Sequence, residues 1–246
     1  MVSRDSIGKN EICREQEMTN DPPHYLGHRK RLRERFLKAG FQGMAEHEVV
    51  ELLLTLAIPR KDVKEQAKIL LQQFGNLKGI LDAPIEETRK VKGIGSVTPV
   101  ALKIIKSVAT LYLQQDAENR DVLTDPLQIS TFWRMRIGGL SNEVFQVGYL
   151  DSAYRLLRDG VETLEKGTVD RANVYPRKVV EAALRRGAAA IVLAHNHPNG
   201  NVEPSEQDKL LTRALVLATE SVQLRIVDHL IVSSAETFSF RQAGLL

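Results

Sequence analysis

The chain has 246 residues, 43% of them hydrophobic and 26% charged, which is the composition of an ordinary globular protein and not of a disordered or fibrous one. Its single cysteine, Cys13, excludes an internal disulfide framework and a zinc site built from several cysteines. No apolar run approaches the roughly 20 residues that span a bilayer. These features predict a cytoplasmic protein that does not engage a membrane.

Charge is distributed unevenly along the chain. Residues 1–27 carry three basic and five acidic side chains, and residues 122–246 carry fourteen of each. Residues 28–121 carry seventeen basic and twelve acidic side chains. Only this middle segment therefore has the excess of positive charge that favours binding to a polyanion.

The first half of the chain is predicted to be helical. Residues 1–27 lack periodicity and are predicted to form a flexible leader, and a helical domain follows over residues 28–115. Apolar spacing predicts helices over residues 28–38, 46–57 and 63–74, and short helical turns over residues 77–91. The second helix opens like a zinc-protease motif, but Glu51 replaces the second histidine, so we interpret it as a helix with exposed charges. A last long helix has an apolar face, formed by Ala101, Ile104, Ile105, Val108 and Leu111.

A glycine-rich hairpin precedes that long helix. Gly93 and Gly95 permit a tight turn with backbone N–H groups exposed at the helix start, which is a phosphate-binding geometry. Residues 88–106 hold five basic side chains and no acidic one, and the segment resembles the helix–hairpin–helix modules of DNA-repair proteins. Such modules hold duplex backbone without reading sequence, so double-stranded DNA is the expected partner of Lys92, Gly93, Gly95 and Lys103. The alternative is a helix–helix turn that contacts protein.

The second half of the chain changes its period after a polar linker predicted over residues 116–124. Strands are predicted over residues 144–150, 155–157, 188–194 and 224–232, the first two around a turn at residues 151–153. Helices are predicted over residues 177–186 and 205–220. Strands interleaved with helices imply an α/β domain over residues 125–246, with a mixed sheet and flanking helices.

Two histidines directly follow the predicted buried strand. Residues two apart on an extended chain point to the same side, so His195 and His197 can face one point. Asp208 lies one turn inside the next helix, which begins at Ser205. Two nitrogens and a carboxylate suit zinc, and three protein ligands leave one position for water. The same residues also fit a solvated histidine pair beside a helix that Ser205 caps.

The wider pattern carries a family resemblance. The string HNHP at residues 195–198, followed by Ser-x-x-Asp at residues 205–208, resembles the metal signature of the JAMM (MPN-type) metallohydrolases. The longer string HNHPNG…PSEQDKLLTRAL, with Asp228-His229-Leu-Ile-Val downstream, resembles the bacterial RadC family over residues 28–246. Asp228 and His229 alternate on a strand, and either a structural role or a place behind a metal ligand is open to them.

That resemblance implies a two-domain protein, an all-α helix–hairpin–helix domain followed by an α/β JAMM/MPN-like domain. It implies one Zn²⁺ per chain on His195, His197 and Asp208. It also implies Glu143 as the general base and Ser205 as a hydrogen-bond donor to the oxyanion.

Two functions remain open from the sequence. One is a zinc-dependent hydrolase of peptide or isopeptide amides that is linked to DNA, with an unknown protein or peptide substrate. The other is a DNA-associated binding or scaffolding protein whose metal site is structural or catalytically idle. A nuclease is less favoured because nuclease sites more often pair two metals through several carboxylates. A nucleobase deaminase is excluded because its zinc site needs two cysteines. The sequence does not define the oligomeric state.

Overall fold

The computed structural model describes residues 24–122, 125–166 and 174–246. Most of the predicted leader, with Cys13, and residues 123–124 of the predicted linker lie outside the described residues. The chain begins with a series of helices, which are α1 (His24–Ala39), α2 (Glu46–Ala57), α3 (Lys64–Phe74), α4 (Leu77–Asp82), α5 (Ile85–Arg89) and α6 (Val97–Glu118). Among the described helices, none combines the length and the apolar character that crossing a membrane requires.

The helical region has its own hydrophobic core. Side chains from α2, α3, α4 and α6 form it, including Val50, Leu54, Leu70, Ile80 and Leu102. The expectation of exposed charges on α2 is wrong for Glu51, which is 1% exposed and lies 2.7 Å from the ring of His28. Burying a carboxylate requires such a partner, so α1 and α2 are joined by a polar contact as well as by packing.

Helix α6 continues through the start of the predicted linker and contacts both halves of the protein. Leu102 near its beginning lies in the helical core, whereas Ala117 near its end lies in a core of the following domain. Its buried side carries Thr98, Pro99, Leu102, Thr110 and Ala117. The apolar face noted in the sequence points elsewhere, since Ile104, Val108 and Leu111 are each more than half exposed.

The second domain is built on a five-stranded mixed sheet. Its elements are α7 (Pro126–Ile137), β1 (Val144–Leu150), β2 (Leu156–Lys166), α8 (Pro176–Arg186), β3 (Ala190–Asn196), α9 (Glu206–Glu220), β4 (Arg225–Val232) and β5 (Thr237–Ser239). The strand order is β2-β1-β3-β4-β5, in which β3 and β4 are parallel and the other neighbours are antiparallel. This layout confirms the predicted fold class, helices followed by a mixed sheet with flanking helices.

Both faces of the sheet are covered. Alternate residues of β3 point to opposite sides, so Val192 and Ala194 pack with Phe132 and Trp133 of α7. Ile191 and Leu193 instead pack with residues of α8 and α9 on the other side. Every residue of β3 is buried, which explains its continuous apolar run. A polar residue at the end of β3 therefore enters an apolar environment and needs a specific partner.

Candidate metal centre

The structure brings His195, His197 and Asp208 together. One ligand atom from each lies within 4.8 Å of the others, and this group could hold a metal ion. The Nε2 atoms of the two histidines are 3.1 Å apart, and they lie 3.2 Å and 3.6 Å from the two oxygens of Asp208. Ligands at tetrahedral angles and bond lengths near 2.0–2.1 Å are about 3.3 Å apart, so these spacings fit zinc.

Local structure explains how the three side chains meet. His195 lies near the end of β3 on the same face as Ile191 and Leu193. His197 lies just beyond the strand, and its N–H donates a hydrogen bond to the carbonyl of Val232. Helix α9 packs on that face and presents Asp208 from its first turn. Ser205 caps α9, because its Oγ accepts from the Asp208 N–H while the carboxylate accepts from the Ser205 N–H. The cap thus orients the carboxylate. Ser205 and Asp208 can therefore cap α9 while Asp208 is also placed to act as a metal ligand.

Hydrogen bonds define the tautomer of His197. Its Nδ1 lies 2.7 Å from the backbone oxygen of Asn201, and a carbonyl can only accept, so the Nδ1–H donates. In the neutral ring the Nε2 atom therefore carries the lone pair, and in the protonated ring it donates toward Asp208. Because the carboxylate of Asp208 lies beside it, the pKa of His197 is raised.

A buried hydrogen-bond chain defines the tautomer of His195 in the same way. The Thr212 hydroxyl donates to the Asp208 carbonyl, so its oxygen accepts from Nδ1 of His229 at 2.6 Å. His229 Nε2 then accepts from His195 Nδ1 at 2.9 Å, which leaves a lone pair on His195 Nε2. Burial lowers the pKa of His229 well below its ordinary value of 6.5, which keeps this ring neutral.

The cluster therefore consists of acceptors. With both imidazoles neutral, two lone pairs and a carboxylate converge. Burial opposes ionisation of Asp208, but hydrogen bonds from an imidazole that carries the proton and from the Ser205 hydroxyl lower the pKa of Asp208 below the usual range. A proton between two of these groups relieves only part of the repulsion, whereas a divalent cation satisfies all three at once. The donor set, two nitrogens and one oxygen, is one that zinc accepts.

Asn196 holds the segment that carries Glu143. The Asn196 side chain is fully buried and points away from the histidines on either side of it. Its Oδ1 accepts from the N–H of Val144 at 2.8 Å, and its Nδ2 donates to the carbonyls of Leu140 and Asn142. Glu143 precedes β1, and since Phe145 pairs with His195 in the sheet, Glu143 is in register with His197. Its charge contributes to raising the pKa of His197, although it lies outside the three-residue cluster.

The sequence indicated neither the role of Asn196 nor the chain through Thr212. The alternation of β3 was a usable signal for Asn196, because a buried amide between two histidines must find partners on the opposite face. For His229 the sequence left two roles open, and the structure places it behind His195. Asp228 faces another way and accepts hydrogen bonds from Ser239 and Arg241.

The four hairpin residues do not form one surface. Lys92 is exposed, and Gly93 has a φ of +85° and lies where a Cβ would come within 2.6 Å of the Gln66 side chain. Gly95 has no neighbour within 4 Å of the position that a Cβ would take. Lys103 is turned inward, where its ammonium donates to the carbonyls of Leu81 and Asp82. Lys103 therefore stands apart from the hairpin.

Comparisons with known proteins agree with this architecture. A family model described as the RadC-like JAB domain matches residues 123–245, and one described as the UPF0758 N-terminal domain matches residues 25–100. A UPF0758 protein of Ruegeria pomeroyi is 37% identical over 225 residues, which are 92% of this chain and 100% of the relative. A UPF0758 protein of Aromatoleum aromaticum is 40% identical over 218 residues, which are 88% of this chain and 96% of the relative.

We expect stoichiometric zinc binding that depends on the cluster. Replacing His195, His197 or Asp208 with alanine removes one of three ligands, so each variant should lose the metal. The matched control is His47→Ala, which removes a histidine outside the cluster and should keep about one zinc per chain. Elemental analysis of purified protein and titration of chelated protein with zinc measure this. Wild-type protein that binds no zinc on titration would exclude the metal site.

A second prediction concerns the support of His195 by His229. In His229→Phe the ring shape is kept beside Phe240, but His195 Nδ1–H loses its acceptor. Loss of such a contact behind a ligand typically weakens metal affinity by about 10- to 100-fold. His229→Gln offers an amide oxygen and should recover part of that loss. Chelator competition gives the zinc affinity, and thermal unfolding of metal-free protein checks the fold. An unchanged affinity in His229→Phe would show that His229 only fills space.

Proposed function

The chain belongs to the RadC (UPF0758) family with a JAB domain, and we propose that it is a zinc-dependent hydrolase of the JAMM type that cleaves peptide or isopeptide amides. The observation that carries this proposal is the convergence of three acceptor groups at the end of β3, with the segment of Glu143 held beside them. Metal dependence is the property usually associated with JAB domains. The nature of the metal, the amide substrate and the catalytic roles of Glu143 and Ser205 are parts of the proposal.

Each polar group has a distinct task in this proposal. Zinc held by the cluster supplies Lewis acidity, which lowers the pKa of water to about 7 and polarises a carbonyl. Glu143 accepts the proton of the attacking water at its carboxylate and donates it to the leaving amine. The Ser205 hydroxyl, whose one hydrogen is donated to Asp208 in the resting protein, rotates to stabilise the oxyanion.

A cavity beside the cluster provides space for a substrate. It measures about 700 Å³ and lies between the sheet domain and the helical region, with His197, Pro198 and Gly200 on one side and Lys78 and Lys103 on the other. Ligand pockets typically measure about 300–1,000 Å³, so this space accommodates a short peptide segment. The helical region would then form one wall of the substrate site.

The test of this proposal is Glu143→Gln. The amide cannot accept the proton of water, so zinc should stay bound while hydrolysis falls by about 10²- to 10⁴-fold. Zinc-loaded wild type and variant are compared on a library of fluorogenic peptide amides, with metal content measured in parallel. A fully active variant would remove Glu143 from the mechanism. A zinc-loaded wild type that cleaves no member of the library would favour the idle-metal alternative.

We also propose that the helical region binds the backbone of double-stranded DNA. The start of α6 supports this, because the Ser96 side chain makes no capping hydrogen bond, which leaves the N–H groups of the first turn, except at Pro99, which has none, available to a phosphate. A depression of about 620 Å³ beside the hairpin is lined by Gly95, Ser96, Arg60 and Lys61. These two basic residues, with Lys92, replace Lys103 as the expected phosphate contacts.

Two substitutions test DNA binding separately. Lys92→Glu should weaken binding to every duplex alike and reduce the salt slope by about one unit. Gly95→Val keeps the charge, and the open space at Gly95 accommodates the side chain, so it should weaken binding only by blocking the approach of a phosphate. Fluorescence anisotropy of a labelled duplex at several salt concentrations measures both effects.

The control is Arg158→Glu, which makes the same charge change at an exposed position of the sheet domain and should have little effect. If wild type has no affinity for duplex DNA at low salt, or if Lys92→Glu and Gly95→Val bind as wild type does, the hairpin does not bind DNA.

A further inference from the structure

The outward face of α6 is apolar and has no charge. Its six large apolar side chains are 43% to 71% exposed, and they are Val97, Val100, Ile104, Val108, Leu111 and Tyr112. The only other exposed positions between residues 97 and 115 are Ser107 and Gln115. An outer helix face normally carries charged side chains. This face therefore has the composition of an interface and not of a solvated surface.

The face is also large enough to bind another protein. Its six apolar residues expose roughly 600 Å² together, which reaches the upper end of the apolar patches found on typical monomers and approaches the ~800 Å² that each partner of a standard interface buries. The 22 residues of α6 make it about 33 Å long, so one partner helix can cover the whole face.

The positions on this face are symmetric about Ile104. Val97 and Leu111 are each seven residues from it, and Val100 and Val108 are each four residues from it. When two copies of α6 lie antiparallel with a two-fold axis at Ile104, Val97 contacts Leu111 of the other copy and Val100 contacts Val108. Five of the six apolar residues then meet an apolar residue, and Tyr112 lies opposite Ser96 at the edge of the face. Such self-complementarity is the requirement of an isologous interface.

We propose that α6 pairs with α6 of a second copy of this chain, antiparallel and with Ile104 on the two-fold axis. The spacing supports helix pairing, since Val97, Val100, Ile104, Val108 and Leu111 are separated by steps of three or four residues, which keep them on one side of α6. A partner that binds through charged side chains finds no complementary charge on this face, whereas a second copy of the face meets no electrostatic repulsion there. The symmetry about Ile104 is a property that a self-pair needs and a pairing with a different protein does not.

The first test measures the mass of the full chain by sedimentation equilibrium over a range of micromolar concentrations. Wild type should reach twice the mass of one chain, and Ile104→Asp should halve it, because it places two carboxylates together on the axis. Leu184→Asp is the matched control, since Leu184 on α8 is as exposed as Ile104, 56% in each case. It should remain dimeric. Circular dichroism checks that the helical content of both variants is unchanged.

The second test distinguishes the antiparallel arrangement from a parallel one by cross-linking in a Cys13→Ser background. Ile104→Cys should form a disulfide-linked dimer on oxidation. Val97→Cys alone should not, because the two copies of residue 97 lie about 21 Å apart along an antiparallel pair and a disulfide needs Cα atoms within about 7 Å. Val97→Cys combined with Leu111→Cys should restore the cross-link. A monomeric wild type, a dimeric Ile104→Asp, or efficient cross-linking of Val97→Cys alone would each overturn the proposal.

Discussion

The burial of His195 and Asn196 at the end of β3 is the constraint on which the rest of the site depends. His195 and Asn196 are at most 1% exposed, so each must satisfy its polar atoms within the protein. Because neighbouring residues on a strand point to opposite faces, His195 turns toward α9 and β4, and Asn196 turns toward the segment before β1. Together with His197, these residues place the candidate metal ligands on one face and hold the segment of Glu143 on the other. Replacing Asn196 would disturb the segment of Glu143 without touching a candidate ligand.

Local signals were sufficient for much of the fold and for the convergence of His195, His197 and Asp208, whereas their assignment as metal ligands depended on the family resemblance. The buried run of β3, the two-residue spacing of His195 and His197, and the cap of α9 all lie within about 20 residues of one another. The hydrogen-bond chain behind His195 could not be predicted, because Thr212 and His229 come from α9 and β4. The sequence alone does not determine the strand register that brings them together. Helix α7 was missed although its signals were present, since Asp125 caps it and Pro126 occupies its first position.

Two other differences have physical causes. The strand predicted over residues 155–157 continues to Lys166 as β2, and Asp159 adopts a positive φ of 54° within it, so the strand passes through a distorted position that its apolar pattern does not show. Lys103 was assigned to the hairpin from a count of basic residues along the sequence. Such a count does not show the direction in which a side chain leaves its helix. Its position two turns into α6 directs it to the carbonyls of Leu81 and Asp82, away from the exposed apolar face. A charge count along the sequence therefore does not show which basic residues lie on the surface of the hairpin.

Helix α6 joins the hairpin, the cavity beside His197 and the core of the sheet domain. Its first turn follows the hairpin, Lys103 lines the cavity beside His197, and Leu113 and Ala117 pack into the core beneath the sheet. A continuous helix anchored in two cores resists bending, since bending breaks backbone hydrogen bonds or removes apolar side chains from a core. The cavity wall and the hairpin therefore stay at a fixed distance from each other. A ligand held at the hairpin and a substrate beside the cluster would be positioned by the same rigid element, so binding at one end constrains which substrates can reach the other.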